Sequence, residues 1–111
     1  MKVEELLEAG VQWPVGWKAK LFEFQQLLIE YDDTFELTST KLIDDPSLMV
    51  TADFTRPSRK AKFQKVRLKI LGVEDYIIKT YRHLSSTTAS FGKAVSSFEE
   101  AFIYLDRLKN A

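Results

Sequence analysis

The spacing of the large apolar residues changes period at Asp32-Asp33, and this change constrains the fold more than any other feature of the chain. Before it, Trp17, Leu21, Phe24, Leu28 and Tyr31 recur at intervals of four, three, four and three, which places them on one face of a helix. After it, apolar and polar residues alternate. Phe35 and Leu37 alternate with Glu36 and Thr38, and Leu48, Val50, Ala52 and Phe54 alternate with Met49, Thr51 and Asp53. Period-two alternation is the pattern of a strand with one buried face. A chain that makes both patterns in blocks, with short connections, folds as α+β with an antiparallel sheet.

Extending the two periods along the chain gives the expected element order. Residues 2–9 read as a short helix stopped by Gly10, and Pro14 suits the first turn of a longer helix over 14–31. Strands are predicted over 34–42, 48–54, 61–71 and 76–84. Turns are predicted at Asp32-Asp33, Asp44-Asp45-Pro46-Ser47 and 72–75, where short polar residues and glycine favour reversal. Residues 85–90, Ser-Ser-Thr-Thr-Ala-Ser, read as a loop. Ser96 and Ser97, with Glu99 and Glu100 three positions on, offer two registers of a capping box for a helix over 97–109. The predicted fold is a two-layer α+β sandwich: a four-stranded antiparallel meander with the N-terminal and C-terminal helices on one face. Leu21, Phe24, Leu28, Val50, Phe54, Val66, Leu68, Ile70, Phe98, Phe102 and Leu105 form its expected core. No repeat or Pro/Gly-rich linker divides the chain, so residues 1–111 read as one domain.

Charge supplies the functional signal. The chain carries 16 basic and 16 acidic residues, for a net charge of zero, yet the balance is local. Residues 54–73 contain seven cations, Arg56, Arg59, Lys60, Lys62, Lys65, Arg67 and Lys69, and no acid. Such a block is an electrostatic footprint even on a neutral chain. Strand parity turns Val66, Leu68 and Ile70 towards the helices, and therefore Lys65, Arg67 and Lys69 away from them. By the same parity Phe63 stands among those cations, and Lys79, Tyr81 and His83 join them from the next strand if Ile78 and Leu84 point inward. Cations that track phosphates and rings that stack bases are what single-stranded nucleic acid requires. Arg56, Arg59, Lys60, Lys65, Arg67 and Lys69 are the expected phosphate contacts, and Phe63 and Tyr81 the expected stacking residues. The competing account is a solvated strand face, since lysines commonly occupy the wet side of antiparallel sheets and guard their edges. The sequence pI of 6.6 lies below the range of dedicated nucleic-acid binders. The same surface also suits an acidic protein partner.

Other chemistry is poorly provided for. There is no cysteine and a single histidine, which excludes disulfide scaffolds, zinc–thiolate sites and paired-histidine metal centres. Asp32-Asp33 and Asp44-Asp45 lack calcium-loop spacing and read as turn formers. No acid has a lysine two residues on, and there is no glycine-rich phosphate loop, GxSxG elbow or SxxK motif. His83 has no partner by motif, so no catalytic residue, metal or cofactor is assigned. Trp13, just ahead of the long helix, is a candidate anchor for a partner chain or for self-association, although packing is the better account of it. No stretch approaches the ~18 apolar residues of a membrane span, and the acidic N-terminal segment is neither a signal nor a transit peptide. The expectation is a cytoplasmic binding module with no membrane contact. Its size and lack of catalytic motifs would suit an accessory protein of a phage or mobile element.

Overall fold

The alternating segments pair with their neighbours in chain order. In the computed structural model, which describes residues 17–44, 48–57, 62–72 and 74–110, α1 spans Trp17–Tyr31 and is followed by β1 (Glu36–Asp44), β2 (Leu48–Thr55), β3 (Lys65–Gly72), β4 (Asp75–Tyr81), β5 (Phe91–Val95) and α2 (Phe98–Asn110). The sheet order is β1-β2-β3-β4-β5, with every neighbouring pair antiparallel. This is the expected α+β meander, but with five strands in place of four.

Register carries the alternation across the sheet. Phe54, Val66 and Thr80 form one cross-strand row, Ala52, Leu68 and Ile78 the next, and Val50, Ile70 and Tyr76 a third. All nine are buried. Leu21, Phe24 and Leu28 of α1 and Phe98, Ala101 and Leu105 of α2 join them in a single core. Phe24 is the hub, with ring centroids 5.3 Å from Phe54, 5.2 Å from Phe98 and 5.3 Å from Phe102. The Tyr31 hydroxyl donates to the Leu105 carbonyl at 3.3 Å, tying the two helices together. Each such buried side chain stabilises the fold by roughly 1.5–3 kcal/mol relative to exposure. Every residue of the expected core is buried except Phe102, which is half-buried and packs against Phe24 and Tyr31.

Local chemistry sets the helix ends. Asp32 continues the α1 ladder by donating its N–H to Leu28, and its Oδ1 accepts from the Thr34 N–H and hydroxyl at 3.0 and 2.6 Å, closing a turn. Of the two capping registers, the structure uses Ser97. Its Oγ accepts from the Glu100 N–H at 3.1 Å, and the Glu100 carboxylate accepts from Ser96 N–H and Oγ, both at 3.0 Å. Those bonds to the ionised form hold the Glu100 carboxyl below its usual range, the backbone bond most strongly.

Three sequence expectations need correction. β5 falls on residues to which the sequence reading assigns no element, because only Val95 of Phe91–Val95 is buried and the strand has no alternation to detect. The third strand begins at Lys65, so the parity argument does not reach Phe63. The fourth strand ends at Tyr81, which leaves His83 in the following loop and Leu84 47% exposed rather than inward. The short helix over 2–9, residues 14–16 of the long helix, Trp13, Arg59 and Lys60 lie outside the described residues.

Candidate functional site

The two helices pack on one face of the sheet, and the opposite face carries the polar residues of the alternating strands β2 and β3 together with residues of β1 and β4. Its cross-strand rows follow from register. Thr55, Lys65 and Tyr81 form one; Ser39, Asp53, Arg67 and Lys79 the second; Lys41, Thr51, Lys69 and Ile77 the third. The block of basic residues thus meets two cations from other strands, Lys41 and Lys79. Lys41 reaches this face because of a β-bulge. Simple alternation from Leu37 would turn residue 41 inward, but the register shifts between Leu37 and Ser39, so Ser39 and Lys41 pair with Asp53 and Thr51 on the open face.

The cations differ sharply in how far their charge is already satisfied. Arg67 is fully engaged: Nε donates to Asp53 Oδ1 at 2.7 Å, Nη2 to Oδ2 at 3.1 Å and Nη1 to the Tyr81 hydroxyl at 2.8 Å. The hydrogen bond to Asp53 raises the Arg67 pKa further above its ordinary value. Lys65 lies over the Tyr81 ring at 4.3 Å and donates to the Ser86 carbonyl at 3.4 Å. Lys41, Lys69 and Lys79 have no carboxylate partner among the described residues. Partial burial pulls the Lys69 ammonium below the usual 10.5, and the neighbouring Lys79 and Arg67 push the same way.

Three of the expected contact residues are buried. Arg56 is only 8% exposed. Its guanidinium lies 4.5 Å from the Phe35 ring and 5.3 Å from Phe63, pairs with Asp32, and donates from Nε to the Phe63 carbonyl at 3.1 Å. Phe63 is 3% exposed and stacks on Phe35 with centroids 6.2 Å apart. Tyr81 does lie on the open face, as parity predicts, but it is 2% exposed beneath Lys65 and Arg67. Neither ring is presented to a base. Gln64 explains why this corner holds its shape. Buried, it donates from Nε2 to the Pro57 carbonyl at 3.0 Å and accepts from the Leu84 N–H at 3.3 Å, bridging the chain before β3 to the loop after β4.

Among the described residues no group of three or more His, Asp or Glu side chains is placed to hold a metal ion, and no helix is long and apolar enough to cross a membrane. His83 is exposed, with its backbone N–H and carbonyl bonded to Ser86. No family model, curated protein or solved structure matches this chain.

Proposed function

We propose that the protein is a non-enzymatic, cytoplasmic binding module that docks the phosphate backbone of nucleic acid on the open face of its sheet, without sequence preference. The observation that carries this reading is the set of lysines without carboxylate partners among the described residues, Lys41, Lys69 and Lys79, gathered from three strands onto one surface that neither described helix covers. Lys65 borders the same face, and Arg59 and Lys60 extend the basic run in sequence. With Phe63 and Tyr81 covered, binding rests on charge rather than on stacking, so single strands and duplexes bind alike. Fluorescence anisotropy with labelled single-stranded and duplex DNA and RNA near 100 mM salt tests it. With about four phosphate contacts, affinity falls by roughly two orders of magnitude between 50 and 200 mM salt. No binding below ~100 μM of either form overturns the reading.

A separate observation favours self-association. Between α1 and α2 runs a groove of about 720 Å3 floored by Leu27, Phe102 and Ile103 and edged by Glu23, Glu30 and Glu99. An acid-edged apolar groove on one face and a lysine-rich sheet on the other are complementary between copies, a head-to-tail contact. Light scattering at 50 and 500 mM salt decides it: a mass above the monomer that falls with salt supports this contact, and a monomer at both excludes it.

A further inference from the structure

We propose that Thr51, Lys41 and Lys69 form a phosphate-binding subsite at the centre of the open sheet face, with Lys79 supplying a fourth donor at its border. The inference rests on the nucleic-acid reading above and names the point at which one phosphate group is held.

Thr51 provides the first observation. Its hydroxyl oxygen is buried and has no hydrogen-bond partner among the described residues. Three nearby hydroxyls are engaged by contrast: Thr34 with Asp32, and Thr38 and Ser39 with Asp53. A buried hydroxyl without a partner is uncommon and calls for an acceptor or donor from outside the chain. The residues flanking Thr51 in its row are Lys41 and Lys69, so the proposed bound state requires their flexible stems to turn aside and admit the anion to the hydroxyl between two ammonium groups.

The surroundings provide the second. Ser39, Lys41, Thr51, Asp53, Arg67 and Lys69 line a depression of about 260 Å3, room for a tetrahedral oxyanion with some of its water. Asp53 is the one acid in it, and both of its oxygens are bonded to Arg67, at 2.7 and 3.1 Å, so its charge is already answered. The remaining local field is positive. Edge protection accounts for lysine on an outer strand. Lys69 and Lys79, however, stand on β3 and β4, which are paired on both sides. A bound oxyanion meets all of these requirements at once: it accepts from the Thr51 hydroxyl and the two ammonium groups, and it relieves the mutual repulsion of Lys69 and Lys79.

The test uses the full chain, inorganic phosphate and a labelled oligonucleotide. Titration with millimolar phosphate, followed by amide NMR, shifts the resonances of residues 41, 51 and 69 ahead of the rest of the sheet. Thr51→Val, which keeps shape and strand preference but removes the hydroxyl, abolishes that focus and weakens oligonucleotide binding about three- to tenfold, with melting temperature unchanged or raised. Thr51→Ser, which retains the hydroxyl, binds within about twofold of wild type. Wild-type affinity in Thr51→Val, valine-like loss in Thr51→Ser, or phosphate shifts spread evenly over the face overturns the subsite while leaving the nucleic-acid reading standing. Focused phosphate shifts in a protein that binds no oligonucleotide support the subsite and overturn that reading instead.

Discussion

Arg56 and Lys69 belong to the same acid-free stretch of twenty residues, yet the structure uses them in opposite ways. Arg56 is enclosed by Phe35, Phe63 and Asp32, three side chains that answer both its flat surface and its charge. Lys69 has Lys79 and Arg67 for neighbours, and the nearest acid, Asp53, is bonded to Arg67. A run of like charge in sequence therefore says little about which charges are available. Availability depends on the partners the fold brings to each one.

The sharpest break between buried and open surface lies at a single peptide bond. Leu68→Asp places an unpaired carboxylate at the centre of the core and is expected to unfold the protein, at a cost of more than about 4 kcal/mol. Lys69→Asp, one position on, is expected to stay folded and to lose oligonucleotide binding. Circular dichroism and anisotropy read the pair, and a folded Leu68→Asp chain refutes the strand parity.

Next come the two residues the sequence assigns to nucleic acid and the structure assigns to packing. Phe63→Ala is expected to cost about 3–5 kcal/mol in urea unfolding, as other deletions of buried rings do. Arg56→Met leaves Asp32 unpaired in a half-buried site and is expected to cost about 2–3 kcal/mol, below the range for fully buried pairs because Asp32 keeps some water. Neither substitution should change the affinity of the folded protein more than twofold. Lys69→Met reverses both results, with stability within about 0.5 kcal/mol of wild type and affinity reduced about tenfold. Tenfold weaker binding by folded Phe63→Ala would restore the stacking role.

The smallest expected effect is a pH dependence. The folded-state pKa of Lys69 lies below the unfolded value of 10.5, so its charge opposes folding below that folded-state pKa, and the opposition fades as pH rises towards 10.5. Burial raises Tyr31 and Tyr104 above 10.0, which gives the opposite slope at alkaline pH. The Lys69 contribution is therefore isolated as a difference. Wild type is expected to gain stability relative to Lys69→Met as pH rises from 8 to 10.5, and a flat difference curve would show that Lys69 is not hindered by its neighbours.

Much of the architecture could be read from the chain alone. The helical stripe through Leu21, Phe24 and Leu28, the parity of Val66, Leu68 and Ile70 and the Ser97–Glu100 cap all rest on residues within a turn or two of one another, where period and local hydrogen bonding decide the outcome. That is also why Lys65, Arg67 and Lys69 were legible as an outward row. What only the tertiary structure decided depends on residues distant in sequence. Arg56 turns inward because Asp32, 24 residues earlier, meets it at the end of α1, and Phe63 because Phe35 stacks on it from beside β1. Lys41 joins the open face through a bulge whose one-residue shift reverses the parity of everything after it. β5 exists because β4 offers it a hydrogen-bonding edge, while its own side chains bury little. Periodicity records which face a residue takes within its element, but the partner that covers or frees it is set only when the chain returns.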